Sequence, residues 1–145
     1  KVEEQVNKTV EQGGKIVLGG KRNGAFYEPT VIADVPKDAY YAPAVKWAVD
    51  KGVTTGTSLS TFSPNDTCTR AQMVTFLWRA AGRPEPSATE NPFSDVDEGA
   101  YYYRAVLWAV ENGITQGTSA TTFSPDDDCL RAQIVTFLYR AYGEK

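Results

Sequence analysis

The chain has 145 residues, 41% hydrophobic and 23% charged, so it is long enough to form one domain with a buried core. Its net charge of -3 gives no clustered basic face for nucleic acid, and it contains no histidine, the commonest general base and metal ligand. The longest apolar run, 105–110, is too short to cross a membrane. Composition therefore argues against nucleic-acid binding, membrane insertion and most enzyme chemistry.

Residues 1–33 are predicted to form a short helix and a β-hairpin, unlike the rest of the chain. Val2, Val6 and Val10 recur at i+4 and predict a short amphipathic helix that ends at Gly13-Gly14. "KIVLGG" predicts a strand, "KRNG" a turn and "FYEPTVI" a second strand, which together form a small β-hairpin. The chain begins with Lys rather than Met and shows no signal peptide, which indicates a mature form or an excised fragment.

The rest of the chain contains an internal repeat. A shift of 61 residues places 34–82 on 95–143 without a gap, with 31 of 49 positions identical. Identity spread over helices and loops alike indicates a duplicated structural unit. We divide the chain into segment 1–33, a first repeat at 34–82, a Pro-rich linker at 83–92 and a second repeat at 93–143.

Each repeat is predicted to be a helix, a long ordered loop and a second helix. The first helices end at Gly52 and Gly113, which are expected to be left-handed. The loops are rich in Gly, Thr, Ser, Pro and Asp, and Phe62 or Phe123 is expected to anchor each loop in the core. The second helices carry an apolar stripe at i, i+3, i+4 and i+7. Its members are Met73, Phe76, Leu77 and Ala80 in the first repeat, and Ile134, Phe137, Leu138 and Ala141 in the second.

The start of each second helix combines a capping signal with an arginine. Thr69 and Gln72 form a predicted capping box, whereas Leu130 cannot cap, so we expect Asp128 or a shifted helix start to replace it. Arg70 and Arg131 lie in the first turn, where a positive charge opposes the helix dipole at a cost of about 0.3–1 kcal/mol. Such a repeated arginine is expected to meet a carboxylate or an anionic ligand.

The order "DV…GITQG…FSP…RAQ" of the second repeat resembles the S-layer homology (SLH) family, and the first repeat carries the same order with "GVTTG" in place of "GITQG". The resemblance implies a mainly α fold of tandem helix–loop–helix repeats in a partial pseudo-threefold bundle. It also implies a secreted bacterial parent protein, anchored to an anionic, often pyruvylated, cell-wall polysaccharide. The family's ligand-binding residues correspond to Arg70, Arg131, Asp34, Asp95, Gly56 and Gly117. This chain has Gln where the family motif usually has Glu, and two repeats where the family has three.

"EQGGKIVLGG…GAFYEPTVI" resembles a segment of the aldehyde dehydrogenase family. That family's catalytic cysteine, general base and nucleotide-binding fold lie outside the matching segment, so the resemblance implies no retained activity.

Several residues have two interpretations. Cys68 and Cys129 are expected to be small apolar residues under the loops, because symmetry-related positions rarely bring Cα atoms within the roughly 7 Å that a disulfide needs. "SPNDT" and "SPDDD" lack the ligand pattern of a calcium loop and are expected to form turns and caps. The tryptophans are expected in the core, although they and the paired tyrosines could also stack on sugars; these are Trp47, Trp108, Tyr40, Tyr41, Tyr101 and Tyr102.

We therefore predict a non-enzymatic module that needs no cofactor or metal and binds an acidic cell-wall glycan between repeats. The first alternative is a structural or protein-interaction module in which the arginines hold Asp34, Asp95 or the linker acids. The second is an inactive dehydrogenase fragment. Because two repeats leave an apolar face uncovered, we expect residues 1–33 to pack on that face or a second chain to cover it in a homo-oligomer.

Overall fold

The computed structural model describes residues 35–36, 38–58, 61–88 and 90–143, together with scattered residues of the N-terminal segment. The chain forms two compact units, Lys1–Asp66 and Thr67–Lys145. The boundary falls inside the first repeat, so the second helix of that repeat belongs to the same unit as the whole second repeat. The repeat boundaries at 34–82 and 93–143 remain a prediction from the sequence.

The N-terminal segment contains helical residues and four short strands. Its described helical residues, Glu4, Asn7, Lys8 and Glu11, are all exposed, as expected for the polar side of the predicted helix. The valines predicted for the apolar side lie outside the described residues. Strands β1 (Ile16–Leu18) and β4 (Val31–Ile32) pair antiparallel, as do β2 (Arg22–Asn23) and β3 (Phe26–Tyr27).

This pairing differs from the two-stranded hairpin predicted from the sequence. Arg22 and Asn23, expected in the turn, are strand residues, and Asn23 pairs with Phe26. β1 lies within the first predicted strand, and β3 and β4 lie within the second.

Helix α1 (Ala42–Asp50) forms the small core of the first unit. Val45 and Val49, four residues apart on one face, are buried together with Val35. Phe62 from the loop packs against this cluster but is only partly buried. The helix is followed by Gly52 at φ +66°, which confirms the predicted left-handed stop.

The second unit contains helices α2 (Arg70–Ala80), α3 (Tyr103–Glu111) and α4 (Arg131–Ala141). Helix α2 packs against both α3 and α4. One core therefore joins the two repeats; its fully or nearly fully buried members are Ala71, Met73, Val74, Phe93, Val96, Ala105, Val106, Ala109, Ile114, Phe123 and Phe137. Helix α3 ends before Gly113, whose φ of +68° again confirms the predicted stop.

Contacts with helices α2 and α3 hold the linker. Trp78 Nε1 donates to the carbonyl of Pro84 at 2.8 Å, and the amide of Ser87 donates to Glu111 at 2.9 Å. Arg104 and Glu85 form an exposed ion pair at 2.6 Å. The part of the linker closest to α2 is therefore held to α2 and α3.

The described fold is mainly helical, as predicted. The finer prediction of a partial pseudo-threefold bundle remains a prediction. Within the described residues, no helix has the length and apolarity needed to cross a bilayer.

The buried face of α2 is wider than the stripe predicted from the sequence. Met73 is buried as expected, but so are Ala71, Val74 and Thr75, whereas Ala80 is exposed. In α4 only Phe137 is buried, and Leu138 is 37% exposed. The difference arises because α2 is covered on two sides, by α3 and α4, and nothing in the described residues covers α4 on the equivalent second side.

The two second helices begin differently. Thr69 and Gln72 form the predicted capping box: the Gln72 amide donates to Thr69 Oγ1 at 3.2 Å, and the Thr69 amide donates to Gln72 Oε1 at 2.9 Å. The expectation that Asp128 or a shifted start replaces Thr69 in the second repeat is wrong. The helix starts at the equivalent residue, Leu130 occupies the cap position, and only Gln133 Oε1 remains, accepting from the Leu130 amide at 2.9 Å.

We expect Leu130→Thr to stabilise the protein by about 1 kcal/mol, since it restores the missing cap acceptor and Leu130 is already 64% exposed. Thr69→Ala should destabilise it by a similar amount, as the matched loss of the same cap. Urea unfolding of both variants and the parent measures these changes. A Leu130→Thr variant no more stable than the parent would show that the start of α4 gains nothing from a cap.

Candidate functional site

The loop of the second repeat docks on the first turn of α2, in the first repeat. The Arg70 amide donates to the carbonyl of Asp127 at 2.9 Å, and the Ala71 amide donates to the carbonyl of Pro125 at 3.0 Å. The first amides of a helix have no acceptor within the helix, so these carbonyls satisfy donors that would otherwise be open. The two repeats are thus joined by backbone hydrogen bonds at this helix terminus.

The Arg70 side chain extends under the same loop. It is 3% exposed, and its Nε donates to the carbonyl of Phe123 at 2.9 Å. The guanidinium carbon lies 4.9 Å from the ring centroid of Phe123 and 5.6 Å from that of Phe137. A cation between two aromatic rings is attracted by both, and the interaction strengthens when water is excluded.

The Asp95 carboxylate binds two backbone amides of the second-repeat loop. Its two carboxylate oxygens accept from the amides of Phe123 and Ser124, each at 2.8 Å. Phe123 is therefore bound at its carbonyl by Arg70 and at its amide by Asp95, while its ring is fully buried. Within the described part of the chain, the ion pairs are Lys46–Asp50 and Arg104–Glu85, so Arg70 and Asp95 do not pair with each other.

One nitrogen of the Arg70 guanidinium has no protein acceptor. Nη2 is buried and has no hydrogen-bond partner among the described residues. Burial is the largest influence on this group and lowers the pKa of Arg70 from its usual value, while Cys129, Asp127 and Asp95 act in the opposite direction. The site therefore has a fixed positive charge with one unused donor.

Gly117 is required by the shape of the loop. Its φ is +81°, and a Cβ there would lie 2.5 Å from both Phe93 Cε1 and the carbonyl oxygen of Thr122. Gly56 has the equivalent role in the first loop, at φ +78° and against the carbonyl of Thr61. Both glycines thus have a structural function that is sufficient to explain them.

Hydroxyl groups line the exposed side of both loops in the same arrangement. Thr118 Oγ1 lies 2.8 Å from Ser124 Oγ, and Thr57 Oγ1 lies 2.7 Å from Ser63 Oγ. The backbone bond closing each loop also repeats, from the Thr118 amide to the Thr122 carbonyl at 2.8 Å and from Thr57 to Thr61 at 2.8 Å. These loops present a surface of hydroxyl groups held in place by hydrogen bonds.

The structure brings two of the six predicted site residues to one residue: Arg70 of the first repeat and Asp95 of the second both bind the backbone of Phe123. Gly117 lies in the same loop, against Phe93 and the Thr122 carbonyl. Arg131 is exposed at the start of α4, and Gly56 lies in the first loop. Asp34 lies outside the described residues.

Sequence reasoning missed the residue at the centre of the site. Phe123 was expected only to anchor the loop, and its burial confirms that expectation, but it also provides the carbonyl and the ring that bind Arg70. The carbonyls of Pro125 and Asp127 were missed as well. The repeated "FSP" motif marked these positions, but a backbone acceptor has no signature in the sequence.

The aromatic side chains divide between core and surface. Trp108 packs against the core, but Trp47 is 55% exposed, which corrects the expectation that both tryptophans lie in the core. Tyr101 is 60% exposed and packs edge-to-face on Tyr102, with ring centroids 5.0 Å apart. Burial, followed by the neighbouring Tyr102, raises the pKa of Tyr101, and Arg79 opposes the change. These tyrosines form an aromatic surface beside the acidic loop.

Within the part of the chain that the structure describes, no cluster of three or more cysteine, aspartate or glutamate side chains could hold a metal ion.

A helix–loop–helix repeat whose loop docks on the preceding repeat defines a tandem-repeat module. The family model for the S-layer homology domain matches residues 32–74 and 92–135, together more than half of the chain. The chain belongs to the S-layer homology domain family, as its motifs predicted.

The relatives that share this match include enzymes and surface proteins. An endoglucanase of Bacillus sp. (strain KSM-635) is 37% identical over 111 residues, which are 77% of this chain and 12% of that protein. The surface-layer 125 kDa protein of Lysinibacillus sphaericus is 37% identical over 103 residues, 71% of this chain and 9% of that protein. The chain thus spans about a tenth of the length of these relatives.

The N-terminal segment has a different relationship. The aldehyde dehydrogenase family model matches residues 1–43, which confirms the second resemblance. The 3-sulfolactaldehyde dehydrogenase of Priestia megaterium is 58% identical over 38 residues, 26% of this chain and 8% of that enzyme.

We expect Arg70→Ala to destabilise the protein by about 2–4 kcal/mol, because it removes a buried cation from between two rings and leaves the Phe123 carbonyl unbound. Arg131→Ala, the same change at an exposed equivalent, should alter stability by less than about 1 kcal/mol. Thermal unfolding of the two variants checks this. Equal losses for both would contradict the distinction between a buried and an exposed arginine.

Proposed function

We propose that this chain is a non-catalytic anchoring module that binds an anionic polysaccharide of the bacterial cell wall. Membership of the S-layer homology family supports a role at the cell surface, as do relatives named as a surface-layer protein and a cell surface protein. The ligand we propose is a glycan that carries carboxylate groups, such as a pyruvylated secondary cell-wall polysaccharide. Attachment to an extracellular surface follows from this role.

The observation that carries the proposal is the contrast between Arg70 and Arg131. Both occupy the first turn of a second helix, where a positive charge is unfavourable. Arg70 is buried and donates a hydrogen bond to the Phe123 carbonyl, whereas Arg131 is exposed and has no protein partner among the described residues. An exposed guanidinium presents several donors in a fork that matches a carboxylate, so a sugar acid is a suitable partner for it.

Other features of the site support a glycan ligand. The buried Arg70 guanidinium places a fixed positive charge beneath the second-repeat loop, which favours an anionic ligand at the loop surface. The adjacent loop exposes hydroxyl groups, and Tyr101 offers an exposed ring on which a sugar could stack. We propose Arg70, Asp95 and Gly117 as one glycan site, and Arg131 as a ligand contact of its own. Asp34 and Gly56 are the proposed equivalents in the first repeat.

A structural role for the site is the second candidate. Arg70 and Asp95 both bind the backbone of Phe123, and Gly117 is explained by its φ and its contacts. All three would be needed to hold the repeats together even without a ligand. Arg131 distinguishes the two candidates, because no described contact requires it for folding.

The dehydrogenase-like segment does not change this proposal. It matches 8% of the related enzyme over 38 residues, and no residue in it was predicted to be catalytic. We propose that it contributes no dehydrogenase activity and needs no nucleotide cofactor.

We expect Arg131→Ala to weaken binding to cell-wall polysaccharide at least tenfold, since one lost charged hydrogen-bond pair is worth about 1.5–3 kcal/mol. Binding is measured by co-sedimentation with purified bacterial sacculi, with and without their attached polysaccharide. Arg104→Ala is the control, because it removes another exposed arginine, from α3, and should leave binding unchanged.

Three outcomes would contradict the glycan proposal. The parent could bind stripped and intact sacculi equally, which would remove the polysaccharide as ligand. Arg131→Ala and Arg104→Ala could weaken binding equally, which would indicate a non-specific charge effect. Arg131→Ala could also bind as well as the parent, which would favour the structural candidate.

We further propose that the uncovered face of α4 binds a second copy of this chain. Val74 in α2 is fully buried, while its equivalent in α4, Val135, is 61% exposed. The exposed face also contains Leu130, Leu138, Tyr139 and Tyr142. In the first turn of α4, no described acceptor faces the amides of Arg131 and Ala132, unlike their equivalents in α2.

Helix α1 of the first unit has an exposed face at the positions equivalent to the covered face of α3. In α3, Ala105 and Leu107 are buried, whereas their equivalents in α1, Ala44 and Lys46, are exposed. Trp47, which is 55% exposed, is the equivalent of the partly buried Trp108. Inside the chain, α2 packs against α3. We propose that α4 of one copy packs against α1 of the next copy in the same way, which would form a head-to-tail interface.

We expect the parent chain to form dimers or larger assemblies with increasing concentration, and Val135→Glu to remain monomeric because it places a charge in the interface. Light scattering after size-exclusion chromatography measures the mass. Ala120→Glu, on an exposed loop, is the control and should assemble like the parent. A parent that stays monomeric at every concentration tested would show that this interface does not form.

A further inference from the structure

Cys68 and Cys129 lie directly opposite each other in a short antiparallel pairing between the two repeats. Thr69 and Asp128 form an antiparallel bridge, flanked by hydrogen bonds from the Cys129 amide to the Cys68 carbonyl at 2.8 Å and from the Arg70 amide to the Asp127 carbonyl at 2.9 Å. In an antiparallel register, the residue before one partner faces the residue after the other. That rule pairs Cys68 with Cys129.

This placement departs from the expectation that symmetry-related cysteines would be too far apart. Directly opposed residues of an antiparallel pair have Cα atoms about 4.5–5.5 Å apart, with both side chains on one face. A disulfide typically spans Cα separations of about 4.4–6.8 Å. The expectation was wrong because it treated equivalent positions of the two repeats as separate in space. In the structure, the loop of the second repeat packs against the start of α2 in the first repeat, and this contact brings the two positions together.

The two thiols share one environment. Both are partly buried and pack against the core of the second unit. Burial raises the pKa of Cys68, and the neighbouring Cys129 raises it further. Burial also raises the pKa of Cys129, although Arg70 opposes that change. Both thiols therefore ionise less readily than a free cysteine, and the guanidinium of Arg70 favours the thiolate of Cys129.

We propose that Cys68 and Cys129 form a disulfide that covalently joins the first repeat to the second. The chain contains two cysteines, so this is the single intramolecular connectivity available. Both belong to the compact unit Thr67–Lys145. An extracellular location, as proposed above, is a compartment in which such a bond persists. The geometry of the pair does not depend on the glycan proposal.

The oxidant we propose is a disulfide compound, which includes oxidised glutathione and disulfide-exchange proteins. The Cys129 thiolate attacks one sulfur of the compound, releases one thiolate and becomes a mixed disulfide. The Cys68 thiolate then attacks the Cys129 sulfur and releases the second thiolate. Two cysteine thiols lose two protons and two electrons, and the compound is reduced to two thiols.

The cross-link would act on the same junction that positions Arg70. Cys68 lies two residues before Arg70, and Cys129 follows the carbonyls that accept from the first turn of α2. Closing the chain between these residues restricts the unfolded state more than the folded one. We expect the oxidised protein to melt at least about 5 °C above the reduced protein.

The test uses the full chain, reduced under native conditions and then incubated with oxidised glutathione. The expected product has lost two hydrogen atoms from its intact mass. Trypsin without reductant should release peptides 52–70 and 105–131 as one linked species, which a reductant separates. Closure should accelerate as pH rises toward the thiol pKa values, because the thiolate is the attacking form.

Cys68→Ser and Cys129→Ser are the matched controls. Each should remain folded by circular dichroism, form no linked peptides and melt at the same temperature with and without the oxidant. Glutathione adducts on the parent cysteines in place of linked peptides would overturn the proposal. Linked peptides found in covalent dimers alone would overturn it as well. So would oxidised and reduced parent proteins with the same melting temperature.

Discussion

The structure depends on the docking of one loop on the first turn of one helix. Two carbonyls of the second-repeat loop accept from the first amides of α2, and Arg70 and Asp95 fix the adjacent Phe123 at its carbonyl and its amide. This contact satisfies the open donors of the helix terminus and buries Phe123 against the shared core. It also explains why the boundary between the compact units falls inside the first repeat instead of between the repeats.

Equivalent residues have different environments because the contact is directional. Arg70, Ala71 and Val74 are buried by the repeat that follows them, while Arg131, Ala132 and Val135 have no described repeat to cover them. The same sequence is therefore buried in the first repeat and exposed in the second. This directionality makes Arg131 the more informative residue for function.

The sequence predicted local features well and contacts between repeats poorly. The duplication, the left-handed Gly52 and Gly113 and the Thr69–Gln72 capping box all follow from residue types at short spacing. The partner of Arg70 could not be predicted, because it is a backbone carbonyl 53 residues away. The opposition of Cys68 and Cys129 was missed for the same reason. A shift between repeats shows which positions are equivalent, but it does not show which of them are in contact.

The most direct test of the account is native-state hydrogen exchange at the first turns of the two second helices, measured by NMR on the unmodified chain. The amides of Arg70 and Ala71 donate to loop carbonyls, so they should exchange at rates set by unfolding of the whole unit. The amides of Arg131 and Ala132, measured in dilute monomer, have no described acceptor and should exchange far faster. Similar protection at both helix starts would contradict the claim that docking of the second-repeat loop joins the repeats.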